Sequence, residues 1–155
     1  MRRLADDLGV GTMSLYHYVA DKEDLTRAVL EVVLGDFHQP QRDEPWTDMA
    51  KAVASGFRAS ALAHPAAIGL LFRGGRTSTA SARWEDVRRA LAASGATPVE
   101  IRRAIRAISR FVIGWCMAEI LEIGGPTKEC RRQDGDPDFA FALDVIVDGL
   151  HARLD

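Results

Sequence analysis

An all-α fold follows from three features of the 155-residue sequence. Sustained apolar–polar alternation and Asn-Gly hairpin turns, the marks of strands, are absent. Apolar residues recur instead three and four positions apart, the spacing of one helix face. The breaks between these stripes carry helix-stopping and helix-starting chemistry, at Gly9, Asp21, Gly95, Thr97-Pro98, Gly124-Gly125-Pro126 and Asp136-Pro137. Together they predict about eight helices.

Taken in order, LADDLGVGTMSLYHYVADKEDL (Leu4 to Leu25) reads as two short helices, a tight turn between them, and the start of a third. Asp21 is the capping residue of that third helix, with Leu25, Ala28, Val29, Val32 and Val33 on one face and an end near Asp36. FHQPQRDEP (Phe37 to Pro45) is a linker by composition, dividing a unit at residues 1–37 from a larger one at 43–155. Trp46, Met49, Ala50, Val53 and Phe57 mark a fourth helix that ends near His64-Pro65, and Ala66 to Phe72 a shorter fifth. Arg73 to Ser81 is loop-like, although its end can enter the next helix. Trp84, Val87, Leu91 and Ala92 form the next stripe, closed by Gly95. Thr97-Pro98-Val99-Glu100 then combines a capping hydroxyl, proline at the first helical position and Glu at the third. The helix it opens is expected to run to Ile123, and beyond Ser109 it is apolar nearly all round, so it needs two buried sides. Pro126 to Asp136 is polar and expected to be mobile. Asp136-Pro137 caps a last helix bearing Phe139, Leu143, Ile146, Val147, Leu150 and Leu154.

The composition, 47% hydrophobic and 27% charged, is that of a soluble globular protein. Two cysteines make no disulfide framework; Cys116 lies in an apolar run and Cys130 in a polar one, a usage that suits the reducing cytoplasm. The N-terminus has no secretory apolar core, and every apolar patch is interrupted before membrane-spanning length. A formal charge of −2 gives no general attraction to nucleic acid. There is no glycine-rich phosphate loop, nucleophile elbow or paired-carboxylate signature, so an enzyme is not expected.

The opening stretch has the parts of a helix-turn-helix, in which two helices cross closely and the second enters the DNA major groove. Close crossing needs a small residue, which Ala5 supplies, and the turn needs positive φ, which Gly9 tolerates. Leu4, Leu8, Val10, Leu15 and Val19 can hold the pair together, and Thr12 can cap the second helix. Its free face would offer Thr12, Met13, Ser14, Tyr16, His17 and Tyr18, short polar and amphipathic groups suited to base edges and phosphates. Tyr16 and Tyr18 can equally pack against the third helix, and His17 can equally be a solvated surface histidine.

RRLADDLGVGTMSLYHYVADKEDL closely resembles the DNA-binding domain of the tetracycline-repressor (TetR) family of one-component bacterial regulators, through LAxxLGV, SLYHYV and DKEDL. DEPWTDMAKAVASGFRASALAHP, RRAIRAISRFVIGWCMAEI and DPDFAFALDVIVDGL resemble that family's ligand-binding and dimerisation helices. The resemblance implies a cytoplasmic homodimeric repressor whose two recognition helices read a palindromic operator. A small-molecule inducer, mainly apolar, would release the DNA. By motif position Thr12, Met13, Ser14 and His17 would face bases, Tyr16, Tyr18 and Lys22 phosphates, and Arg2 the backbone. Phe57, Trp84, Leu91, Ile108, Phe111, Trp115 and Glu119 would bound the inducer pocket, although most of them read as plain core on spacing alone. Glu119 stands in an apolar run, where a carboxylate needs a partner, water or a ligand. Ile120, Leu143, Ile146, Val147 and Leu150 would form the dimer interface. A rival reading is a dimeric small-molecule-binding protein with a vestigial DNA-binding head.

One departure is large. The family carries a further helix before the point where this chain starts, and Met1 stands inside the second. Residues 1 to 20 are therefore expected to be mobile and to hold an operator weakly. Family members that bind magnesium use histidines, and His38 falls roughly where one could stand. The surrounding pattern is not kept, His64 and His151 are scattered, and neither metal nor other cofactor is expected. Arg102, Arg103, Arg106 and Arg110 read as a solvated helix face.

Overall fold

The structure, a computed structural model, describes residues 1–35, 44–72, 78–121 and 137–154. Among these residues there are eight helices and no strand: α1 (Arg2–Leu8), α2 (Thr12–Tyr16), α3 (Lys22–Gly35), α4 (Trp46–Ala63), α5 (Pro65–Phe72), α6 (Ser78–Ala93), α7 (Pro98–Ile120) and α8 (Pro137–Leu154).

The helix boundaries are set by short-range chemistry. Gly9 sits in the left-handed region at φ 66° and ends α1; its N–H donates to the Asp6 carbonyl, and Val10 N–H closes the turn on the Ala5 carbonyl at 3.0 Å. Gly95, at φ 95°, ends α6 in the same way, with Ala96 N–H on the Leu91 carbonyl. Asp21 and Asp24 share the start of α3: Asp24 N–H donates to Asp21 Oδ1 at 2.8 Å, and Ala20 N–H to Asp24 Oδ2 at 2.9 Å. Thr97 and Glu100 make the reciprocal pair that opens α7, where Glu100 N–H donates to Thr97 Oγ1 and Thr97 N–H to Glu100 Oε2. Those hydrogen bonds, the Thr97 hydroxyl first, hold the Glu100 carboxyl below its ordinary range.

Two boundaries differ from the sequence reading, at α2 and at the end of α7, and a third, left open by it, is decided. Gly11 caps α2 with extended backbone and Thr12 becomes the first helical residue, with no side-chain cap bond. Helix α6 begins at Ser78, so the end of the Arg73 to Ser81 stretch enters the helix, as no Gly or Pro interrupts the chain between Thr77 and Gly95. In α7 the last helical residue is Ile120, and Leu121 turns away at φ −90°, ψ 0°. The linker before Glu44 and the polar stretch Pro126 to Asp136 fall outside the described residues, as does His38.

Helix α4 is the hub and packs on α5, α6, α7 and α8. Its buried stripe alternates bulky Met49 and Val53 with Ala50, Ala54 and Ala61, and the small residues admit close neighbours on several sides. The core continues through Ile68, Val87, Leu91, Ile108, Val112 and Val147, all within 2% of full burial. Leu30 and Leu34 of α3 belong to the same core, and that helix packs on α5 and α6. Thus α3 is rooted in the large body while it carries α1 and α2 at its other end. The α1–α2 pair packs on itself and makes no extended contact with another described helix.

Candidate functional site

The α1–α2 pair is held by one fully buried residue, Ala5, at 1% exposure. Leu4, Leu15 and Val19 are half-buried, whereas Leu8 and Val10 are exposed. A Cβ added at Gly9 would meet nothing within 4 Å, so glycine is there for its positive φ rather than for space. On the free face, Met13 is 74% and Tyr18 87% exposed, and Ser14, Tyr16, His17, Lys22 and Arg2 are exposed too. Thr12 is half-buried at the start of α2. Tyr18 therefore does not pack against α3, which removes one of the two roles its sequence allowed. His17 and Tyr18 stand just beyond the five-residue α2, in the turn before Asp21. Acidic charge nearby is partly engaged: Asp21 and Asp24 cap α3, and Asp24 also pairs with Arg27 at 3.1 Å.

A second constellation lies where α4, α7 and α8 meet. Phe111, Trp115 and Phe139 form a closed aromatic trio with centroids 5.5–5.8 Å apart; Phe111 stacks on Phe139, and Trp115 meets that ring edge-on. Arg58 of α4 lies 5.0 Å over the Phe139 ring and donates from Nε and Nη2 to the two carboxylate oxygens of Glu119, at 2.9 and 2.5 Å. The carboxylate that the sequence left in need of a partner has one. The sequence does not signal Arg58 and Phe139 as site residues: an arginine on one amphipathic stripe and a phenylalanine on another carry no mark that they meet. Cys116, 1% exposed beside this pair, has its thiol pushed up to about 12 by burial, with the nearby Glu119 charge adding to the effect and Arg58 offsetting part of it.

Of the other expected pocket residues, Leu91 and Ile108 are sealed in the core at 0% exposure, while Phe57 and Trp84 pack half-buried against it. An open cleft of about 830 Å³ does occur, between α6 and α7, and none of the expected pocket residues lines it. Among the described residues no group of three His, Cys, Asp or Glu side chains is placed to hold a metal, and no helix is long and apolar enough to cross a membrane.

The expected interface residues divide by face. Leu143 and Val147 point into the chain's own core, at 2% and 0% exposure, and are unavailable to a second chain. Ile120, Ile146 and Leu150 are half-buried against that core. The apolar side chains left outside on α7, its C-cap and α8 are a different set: Phe141 at 71%, Leu121 at 57%, Val145 at 56%, Val99 at 43% and Ile113 at 37% exposure. Phe141 and Val145 stand one turn apart on α8.

Comparison with known proteins connects these features. A family model described as the tetracyclin repressor-like C-terminal domain matches residues 39–133. An HTH-type transcriptional regulator of Saccharopolyspora erythraea is 37% identical over 77% of this chain, and the chain spans about half of that relative's length, 51%. The class A tetracycline repressor protein from transposon 1721 of Escherichia coli is 28% identical, over 98% of this chain and 81% of the relative. Among solved structures, Mycobacterium smegmatis BioQ superposes with a TM-score of 0.76 at 27% identity, covering 97% of this chain and 85% of BioQ. BioQ bound to its natural double-stranded DNA operator gives a TM-score of 0.74 at the same identity and coverage. A TetR variant from Acinetobacter baumannii in complex with minocycline gives 0.74 at 27% identity, covering 97% of this chain and 81% of that one. The left-handed Gly9 turn, the helical body and the matched C-terminal domain agree: the chain belongs to the tetracycline-repressor-like family.

Proposed function

We propose that this chain is the body of a cytoplasmic transcriptional repressor that works as a homodimer and responds to a small molecule. The observation that carries the reading is the α1–turn–α2 geometry, with Ala5 buried at the crossing, Gly9 left-handed in the turn, and Met13, Ser14 and His17 exposed on one side. In that role Thr12, Met13, Ser14 and His17 meet base edges, while Tyr16, Tyr18, Lys22 and Arg2 meet phosphates. The similar BioQ is known in complex with its operator and the similar TetR in complex with minocycline, which supports both halves of the proposal. Two reading units must be held one DNA turn apart, about 34–36 Å, so dimer geometry decides affinity. The outward apolar residues of α7 and α8 supply the surface for such pairing.

Control by a small molecule requires two arrangements of the body, one bound better than the other. Helix α3 is suited to transmit the difference, because Leu30 and Leu34 fix one end in the core while the other end leads to α2. The aromatic trio with the Arg58–Glu119 pair is the expected sensing region, and the inducer is mainly apolar.

A second reading has its own support. Ala5 is the single buried residue of α1 and α2, and Leu8 and Val10 are exposed, so the pair buries little apolar surface. A dimeric small-molecule-binding protein that does not read DNA fits this observation. A gel-shift titration of the chain against the DNA upstream of its own gene separates the two. Sequence-specific retardation that is lost in a Ser14→Ala/His17→Ala variant supports the repressor, and absence of specific retardation at micromolar dimer favours the binding protein.

A further inference from the structure

The cleft between α6 and α7 is chemically unlike the aromatic region. The Gly95 turn makes the two helices an antiparallel hairpin, and their facing stripes leave a trough of about 830 Å³. That volume lies in the range of roughly 300–1,000 Å³ typical of small-molecule sites. Five arginines line it: Arg88 and Arg89 from α6, and Arg102, Arg106 and Arg110 from α7. This concentration of positive charge occurs in a chain of net charge −2. Between the arginines the trough has an apolar floor of Ile101, Ile105, Ala92 and Pro98.

The two sets of arginines are not equivalent. Arg88 is tied to Glu85 at 3.1 Å and Arg89 to Asp86, both one turn away on α6. Arg102, Arg106 and Arg110 are exposed, and no ion pair or hydrogen bond joins them to another described residue. They stand four residues apart, a rise of about 6 Å per step. Like charges at that spacing disfavour the helix that carries them. A merely solvated face has no need of three cations in line, and the core residues Ile101 and Ile105 leave an apolar edge beside them.

We propose that this cleft binds an amphipathic anion, a small molecule with an apolar body and a carboxylate or phosphate head. The body lies on Ile101, Ile105 and Ala92. The head is held by the guanidinium forks of Arg102, Arg106 and Arg110, whose planar donors suit either group. A nucleic-acid backbone fits less well, since it offers nothing to the apolar floor and two of the five cations are already paired. The site is separate from the aromatic trio, in which Phe111 and Trp115 of α7 meet Phe139 of α8. The inference does not depend on DNA reading, so binding is measured on the chain alone.

The test is isothermal titration of the purified chain with dodecyl phosphate and with dodecanoate, each below its micellar concentration, and with 1-dodecanol as the neutral control. At least one anion should bind once per chain and about tenfold or more tighter than the alcohol, and the phosphate and carboxylate arms identify the preferred head. Arg102→Ala/Arg106→Ala should weaken that anion by about tenfold or more, the loss expected from a charge-assisted pair. Arg102→Lys/Arg106→Lys should keep part of the affinity. Ala92→Trp, which fills the trough and leaves every charge in place, should abolish binding while helicity by circular dichroism is unchanged. Equal binding of the alcohol, or anion affinity unchanged in both the double alanine and the Ala92→Trp variants, overturns the proposal. So does displacement of the anion by a random-sequence DNA duplex whose own binding is lost in the double alanine variant.

Discussion

Replacing Val145 with aspartate tests pairing through α7 and α8 most directly. Val145 is 56% exposed, and Phe141, one turn earlier on α8, is 71% exposed, so the change leaves the chain's own core undisturbed. Complete burial of a side chain of this kind contributes about 1.5–3 kcal/mol. With roughly half of the Val145 surface still available, a second chain laid over it gains about 1 kcal/mol per copy. A two-fold interface presents the change twice, so the lost apolar contact alone amounts to about 2 kcal/mol. The two new carboxylates must also be partly desolvated, which raises the total to about 4 kcal/mol at least, or about a thousandfold in the dimer dissociation constant. Sedimentation equilibrium of both proteins across nanomolar to micromolar concentration measures this. Self-association by Val145→Asp as tight as that of the unmutated chain would refute the argument, as would a monomeric unmutated chain at micromolar concentration. Leu143→Asp separates the two faces: at 2% exposure Leu143 belongs to the core, so that variant should unfold at a lower temperature whatever the assembly state.

Four further outcomes are expected. Glu119→Gln removes the charge from a pair whose side chains are 15% and 20% exposed, and, discounted for that exposure, should lower stability by about 1–2 kcal/mol, read as a lower urea midpoint; an unchanged midpoint would show that the pair contributes nothing. Gly9→Ala meets no neighbour but must hold a left-handed backbone, at a cost of about 1–2 kcal/mol; operator affinity should fall while the melting of the large body stays as it was, and unaltered DNA binding would count against the turn geometry. Cys116, with its thiol raised from 9.0 to about 12, should resist iodoacetamide at pH 8 until the chain unfolds. Its folded value lies above the unfolded one, so its contribution to stability is complete below pH 9 and is lost as pH rises toward 12. Lys51, raised chiefly by its hydrogen bond to Asp144, works in the same direction, so Cys116→Ala should flatten the alkaline decline in melting temperature only in part.

Legibility in the sequence followed the range of the interaction. Gly9, Asp21, Gly95 and the Thr97–Glu100 pair act within three to five residues, and each stands in the structure at the boundary the sequence assigned to it. Thr12 shows the limit: both Gly11 and Thr12 suit the start of α2, and the backbone, not a side-chain bond, decided between them. The start of the helix before Trp84 stays open in the sequence because serine and threonine favour loops and helix starts alike, and the structure puts it at Ser78.

The sequence by itself determined that this protein is helical, where most of its helices begin and end, and that its opening motif resembles that of the tetracycline-repressor family. All of these rest on contacts between near neighbours along the chain, which residue type and spacing express. Only the tertiary structure decided which face of each helix is used. Helix α8 is apolar on several sides, and packing against α4 and α7 turns Leu143 and Val147 inward while Phe141 and Val145 face out. Likewise, Arg58 and Glu119 lie 61 positions apart and meet only because α4 and α7 cross there. Helical periodicity is nearly degenerate when most positions are apolar, and no local pattern records which distant helix will fill the space beside it.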